Sequence, residues 1–245
     1  MDAVLEIRGI SKSFGGLQAL LNFDLQVKEK DLIGIIGPNG AGKTTVFNLI
    51  TGFIRPDSGE VWLKGDNITH LKPFQIVNRG LCRTFQLVDL FKEMTALENV
   101  MIPCFSHRAS QQRPKEEKPW KAAMTFLEEV GLSSRFNELA KNLAFGELRL
   151  LDIARAMATR PDILLLDEPF SGLDVEDAAV LSSAIKQMHQ KGQTMIIIEH
   201  RLRDLLKLVE RVVAIVFGEK MAEGTPQEIM SNPKVVNAYL GERRD

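Results

Sequence analysis

Residues 37–44 read Gly37-Pro38-Asn39-Gly40-Ala41-Gly42-Lys43-Thr44. They match the phosphate-binding P-loop at every specified position, glycine, four free positions, then Gly-Lys-Thr. Glycines let backbone N–H groups close around phosphate oxygens with no Cβ in the way. A helix starting at the loop adds the positive end of its dipole. Lys43 is the side chain to reach the β- and γ-phosphates and to act in catalysis. The Thr44 hydroxyl is the group to hold Mg²⁺, and Thr45 opens the helical stretch behind it. The candidate nucleotide set is therefore Gly37, Pro38, Asn39, Gly40, Ala41, Gly42, Lys43, Thr44 and Thr45. The motif specifies a nucleoside triphosphate as ligand and leaves open what the energy is used for.

A second cluster is acidic. Ile163-Leu164-Leu165-Leu166-Asp167-Glu168 is an apolar run ending in two carboxylates. A buried strand delivers its last residues to the sheet edge where ligands bind. Asp167 is placed to hold Mg²⁺, directly or through water. Glu168 points elsewhere because strand side chains alternate. It is then available to orient or deprotonate an attacking water. Two acids at a strand end mean little alone; beside a complete P-loop they read as the hydrolytic end of the same site.

The surrounding pattern supplies the elements that must position these groups. Continuous apolar runs at 32–36, 163–166, 195–198 and 212–217 predict strands covered on both faces, as in a parallel α/β sheet. Alternating segments at 4–8, 23–27 and 60–63 predict an antiparallel layer instead. Leu148, Leu151, Ala154 and Met157 recur at helical spacing, and 178–189 reads as another helix. The segment 106–119 is polar and reads as an exposed loop or frayed helix. Gly218-Glu219 suggests a hairpin turn, and Asn232-Pro233 opens a short helix that Gly241 ends. The expected fold is an α/β P-loop NTPase: a mostly parallel core sheet with an antiparallel β subdomain and an inserted α-helical subdomain. The core spans about 1–86 and 161–245, and the helical part about 87–160.

Composition excludes several classes. The 245 residues are 44% hydrophobic and 26% charged, within the globular range, with net charge −1. That balance gives no general pull toward nucleic acid or anionic lipid. Cys82 and Cys104 fit neither a disulfide framework nor a zinc site. Residues 1–6 lack the basic and then apolar character of a leader, and no apolar run approaches the ~20 residues that span a bilayer. Any membrane role is expected to be peripheral.

Taken in order, the motifs resemble the ATP-binding subunits of ABC transporters, over about residues 4–241. Behind the P-loop comes Gln86 in Arg83-Thr84-Phe85-Gln86, at the family's glutamine loop. Leu143-Ala144-Phe145-Gly146-Glu147 stands at the signature motif, Asp167-Glu168 at the Walker B end, Ser171-Gly172-Leu173-Asp174 at the D-loop, and Glu199-His200 at the switch histidine. The resemblance implies ATP and Mg²⁺ as ligands. It makes Gln86 both a catalytic and a metal-facing candidate, and His200 a holder of the γ-phosphate. Phe14 lies where the family stacks an aromatic residue on adenine. The family's mechanism is a head-to-tail dimer, with the P-loop of one subunit facing the signature helix of the other. Backbone N–H groups near Gly146 would then meet the γ-phosphate.

The signature departs from the usual Leu-Ser-Gly-Gly-Gln. Ala144 has no hydroxyl to donate, and such a bond to a charged group is worth about 1.5–3 kcal/mol. Glu147 brings an acid to an anion site, where it would point outward or pair with Arg149. Arg83-Thr84-Phe85-Gln86, Leu90-Phe91-Lys92-Glu93-Met94-Thr95 and the ending Asn237-Ala238-Tyr239-Leu240-Gly241-Glu242 resemble the branched-chain amino acid importer group. Relatives serving urea, amides or other small solutes share the pattern. The resemblance implies a homodimer or a heterodimer with a paralogous ATPase, two transmembrane permease subunits, and indirectly an extracytoplasmic solute-binding protein. It implies no nucleic acid, and a place on the cytoplasmic face of the inner membrane. Residues 87–94 offer Leu87, Val88, Leu90, Phe91 and Met94 either to the channel or to the core. Three rival classes are weighed: a soluble ABC ATPase acting on DNA or ribosomes, a small-molecule P-loop kinase, and a non-catalytic nucleotide-binding partner. The coiled-coil insertions, second motor domain or basic block that the first would carry do not appear in this sequence. The second would not need Gln86, a signature-like helix, Glu168 and His200 in this order. Lys43, Glu168 and His200 argue against the third.

Overall fold

The computed structural model describes residues 3–241, with side chains through Tyr239. Met1, Asp2 and the Glu242 of the subgroup ending lie outside them. The chain begins with β1 (Ala3–Phe14), β2 (Leu17–Lys28), β3 (Leu32–Ile36), α1 (Lys43–Ile50), β4 (Ser58–Leu63), β5 (Asp66–Asn67) and α2 (Pro73–Arg79). It continues through β6 (Leu81–Arg83), α3 (Ala96–Met101), α4 (His107–Gln112), α5 (Pro119–Glu129), α6 (Phe145–Met157), β7 (Ile163–Asp167) and α7 (Val175–Gln190). It closes with β8 (Thr194–Ile198), α8 (Leu202–Leu205), β9 (Arg211–Val216), β10 (Glu219–Gly224), α9 (Pro226–Ser231) and α10 (Pro233–Gly241). These elements gather into two compact units. One holds the residues up to Ile76 and those from Thr194; the other is Val77–Gln193.

In the first unit β3 lies between β8 and β9 and is parallel to both. Every residue of β3 and of β8 is buried, as continuous apolar strands must be when both faces are covered. A second sheet of the same unit runs β2-β1-β4-β5 and is antiparallel throughout. Its strands alternate as expected: Phe23, Leu25 and Val27 are buried, while Asp24, Gln26 and Lys28 are exposed. β9 and β10 form an antiparallel hairpin. Its turn is Phe217–Gly218, one residue earlier than the sequence suggests. Both residues have positive φ, 51° and 78°, the backbone that tight hairpins require. A phenylalanine there carries strain of about 1–2 kcal/mol.

In the second unit β6 and β7 pair in parallel, and helices fill most of 87–160. α4 gives the polar 106–119 segment one ordered piece, capped by the Ser106 side chain. In α6 the expected Leu151, Ala154 and Met157 are buried, but Leu148 is only half-buried. Leu150, Ile153 and Ala156 are buried as well, so this helix is enclosed on more than one face. Cys82 and Cys104 are free and buried, and burial pushes the Cys104 thiol up to about 11. No helix among the described residues is long and apolar enough to cross a membrane.

Candidate functional site

The phosphate loop follows β3 directly in the first unit. Its shape is enforced by contacts that only glycine permits. A Cβ on Gly37 would lie 2.1 Å from the Ile215 carbonyl oxygen, and one on Gly42, at φ 102°, would lie 2.5 Å from that of Ala19. The loop is also tied to its surroundings. The Gly218 amide donates to the Ala41 carbonyl at 3.1 Å, and the Leu21 amide to the Gly218 carbonyl at 2.8 Å. Lys43 opens α1 and is nearly buried; its Nζ donates to the carbonyls of Gly37 at 2.6 Å and Pro38 at 2.8 Å. The ammonium is thus folded over its own loop. Pro38 and Ala41 are buried, Thr45 is half-buried, and Asn39, Gly40 and Thr44 are exposed at the loop's outer edge.

Two further candidates belong to this unit. Phe14 ends β1 and is 47% exposed, so it is not a core residue. Lys12 Nζ lies 5.6 Å from its ring centre, anchored by Asp57 at 2.6 Å. His200 follows β8. The fully buried Glu199 carboxylate accepts from the amides of His200 at 2.8 Å and Arg201 at 2.9 Å. That clasp fixes the backbone, while the imidazole side chain stays half exposed, its Nδ1 3.8 Å from the same oxygen.

The carboxylates belong to the second unit. Asp167 ends β7 and is buried. Arg83, the last residue of β6, reaches its Oδ2 at 2.5 Å, and both side chains are 5% exposed. Glu168 leaves the strand at φ 48°, a strained value for a non-glycine residue, and its side chain is redirected there. Gln86 Nε2 donates to Glu168 Oε2 at 2.9 Å. The glutamine segment is held in turn by Arg149 of α6, which donates to the carbonyls of Gln86 at 2.7 Å and Ser171 at 3.1 Å. The sequence motifs contain neither guanidinium as a functional residue. The available signal for Arg83 is a long cation ending one strand, beside an acid ending its parallel neighbour.

α6 starts at Phe145, with Ala144 as its N-cap and Gly146 buried. Glu147 is half-buried at the surface and its partner is Arg135 rather than Arg149. Its Oε2 accepts from the Ala144 amide at 2.9 Å and its Oε1 from Arg135 Nε at 3.0 Å. The acid supplies the carboxylate half of a capping box, with no hydroxyl half from Ala144. Arg149 is excluded as partner because positions i and i+2 do not face each other on a helix. A Cβ on Gly146 would lie 2.4 Å from the Asp177 carboxyl carbon. Asp177 in turn gives its amide to Asp174, the cap of α7, at 2.8 Å. The signature-like helix start and the D-loop are therefore packed together through a glycine.

Among the described residues no group of three or more histidine, cysteine, aspartate or glutamate side chains could hold a metal by itself. Thr44 of the first unit offers a hydroxyl oxygen, and Gln86 and Asp167 of the second offer amide and carboxylate oxygens. These hard donors suit Mg²⁺, which takes few protein ligands and completes its shell with phosphate and water.

Residues 20–171 match the family profile described as ABC transporter, and residues 219–245 that described as branched-chain amino acid ATP-binding cassette transporter. The chain is 41% identical to the high-affinity branched-chain amino acid transport ATP-binding protein BraF of Pseudomonas aeruginosa, with 98% of each chain covered. It is 38% identical to the corresponding protein LivG of Escherichia coli at the same coverage. Among solved structures, an ATP-binding cassette of an ABC transporter in its ADP conformation superposes with TM-score 0.88 at 34% identity, covering 98% of this chain and 100% of that one. A dimeric cassette in a post-hydrolysis state, bound to ADP and Pi, superposes with TM-score 0.77 at 28% identity, covering 91% and 98%.

Proposed function

Because the chain belongs to the ABC transporter family, among the ATP-binding proteins of branched-chain amino acid transport, we propose that it hydrolyses ATP to drive import of a branched-chain amino acid or a related small solute. The observation that carries this reading is the pairing of a complete P-loop with Glu168, an acid turned out of its strand at positive φ and held by Gln86. A protein that only bound nucleotide would have no need of that strained carboxylate.

The roles follow from the residues. Backbone amides of 37–45 and the start of α1 bind the phosphates, and Lys43 exchanges its two loop carbonyls for phosphate oxygens. Phe14 stacks on adenine. Thr44, Asp167 and Gln86 would hold Mg²⁺, which when bound neutralises charge on the phosphates. Glu168 orients and deprotonates a water whose oxygen bonds to the γ-phosphorus, while the bond from that phosphorus to the β–γ bridging oxygen breaks. The products are ADP and phosphate. Gln86 positions Glu168, and His200 holds the γ-phosphate.

Two copies, or one copy and a paralogous ATPase, close around ATP. The dimeric post-hydrolysis relative supports this arrangement. The start of α6 near Gly146 meets the partner's γ-phosphate through backbone amides and the helix dipole. Loss of that phosphate reopens the dimer. Leu87, Phe91 and Met94 are exposed while Leu90 is buried, so residues 87–94 divide between core and surface. The fully buried Asn99 fixes this segment, accepting from the Phe91 amide at 2.9 Å and donating to the carbonyls of Phe91 and Thr95 at 3.0 and 2.9 Å. The exposed residues dock a helix of the membrane permease. The protein then sits peripherally on the cytoplasmic face of the membrane. The solute is chosen by the permease and an extracytoplasmic binding protein.

Co-expression tests the transport reading. The chain should be recovered with membranes only when two permease subunits are present. Recovery with ribosomes or DNA in their absence would favour a soluble ATPase instead.

A further inference from the structure

We propose that Arg83 is the counter-charge of the buried Asp167 carboxylate and competes with Mg²⁺ for it. The proposal rests on the reading of Asp167 as a metal-holding residue. Its physical basis is the cost of a buried charge. A carboxylate that is only 5% exposed is strongly destabilised unless a cation or several donors compensate it. Arg83 supplies the cation, at 2.5 Å and equally buried.

The guanidinium is delivered by the fold. β6 and β7 run in parallel with Arg83 opposite Leu165, and the Thr84 amide donates to the Leu165 carbonyl at 2.9 Å. This register brings the end of β6 alongside the end of β7. The Phe85 ring centre lies 4.9 Å from the guanidinium carbon, within cation–π range, a contact that restricts its swing. Arginine stays protonated at every working pH, so loss of the guanidinium's own charge does not release this pair. A competing cation at the carboxylate does. A divalent ion and a guanidinium drawn to one small carboxylate repel each other, so occupancy by one weakens the other. Arg83 also stands three residues before Gln86, whose amide holds Glu168. Both carboxylates are therefore engaged by a single four-residue segment.

The experiment titrates Mg²⁺ into protein carrying ADP, which needs no turnover. Half-saturation is read by calorimetry and by thermal unfolding, for the natural protein, Arg83→Gln, Arg83→Lys and Asp167→Asn. Arg83→Gln should half-saturate at about tenfold lower Mg²⁺, the factor that about 1.4 kcal/mol of lost competition gives. Without Mg²⁺ it should unfold at a lower temperature than the natural protein, and saturating Mg²⁺ with ADP should narrow that gap. Arg83→Lys should shift half-saturation in the same direction by a smaller factor, and it decides the matter if the glutamine variant does not fold. An unchanged or raised half-saturation in a folded Arg83 variant, with Asp167→Asn weakened, overturns the competition alone. An Asp167→Asn protein with unaltered Mg²⁺ binding would instead remove Asp167 from the metal site, and the proposal with it.

Discussion

The phosphate loop and the acidic strand end are built by different means. The loop is made of backbone: its amides are the proposed phosphate ligands, Gly37 and Gly42 stand where the Ile215 and Ala19 carbonyls leave no room for a Cβ, and its one long side chain folds onto loop carbonyls. The acidic end is made of side chains. Asp167 and Glu168 at the end of β7, Arg83 at the end of β6 with Gln86 just beyond it, and Arg149 of α6 hold one another by charge and hydrogen bond. Backbone sites bind whatever fits their shape. Side-chain sites can be arranged for a bond-breaking step, and they can be disarmed one group at a time. Damage to the loop should therefore cost affinity, and damage to the acidic end should cost turnover.

The largest expected effect comes from the acidic end. Glu168→Gln keeps shape and removes the base, so steady-state ATP turnover should fall about 10²–10⁴-fold with ATP affinity retained. A comparable loss of affinity would break the division between the two regions. Lys43→Ala should show the opposite split. Losing charge-assisted bonds worth about 1.5–3 kcal/mol weakens nucleotide binding roughly 10–100-fold, measurable by equilibrium titration with a fluorescent nucleotide. Phe14→Ala sharpens the picture further. ATP binding should lose about 1–3 kcal/mol, while binding of inorganic tripolyphosphate stays as it was. Equal losses for both ligands would place Phe14 away from the base. The last effect concerns stability rather than function. Gly146→Ala should lower the melting temperature through the collision with Asp177, by about 1–3 kcal/mol of overpacking, and adding Asp177→Ala should restore most of it.

How much of this was legible in the sequence follows from the same contrast. The P-loop is local in sequence because its function is local in backbone, so eight consecutive residues announce it. The strands at 32–36, 163–166 and 195–198 were legible because double-sided burial demands uninterrupted apolar residues. Arg83 and Arg149 were not, because their roles depend on strand register and on the turn of α6 toward the glutamine loop. Neither is encoded in residue spacing. Glu147 looked like an intruder at an anion site until Arg135, 12 residues away, was seen to share its charge. The Phe217–Gly218 turn was missed by one residue because a phenylalanine at positive φ is not a turn residue by type.

The central claim is that ATP joins two of these molecules and that its cleavage separates them. The direct measurement is the mass of the Glu168→Gln protein in solution, with and without Mg²⁺ and ATP, alone and mixed with any paralogous ATPase. The account predicts a particle of twice the mass with ATP and single chains with ADP. Single chains under every condition, with nucleotide demonstrably bound, would contradict it.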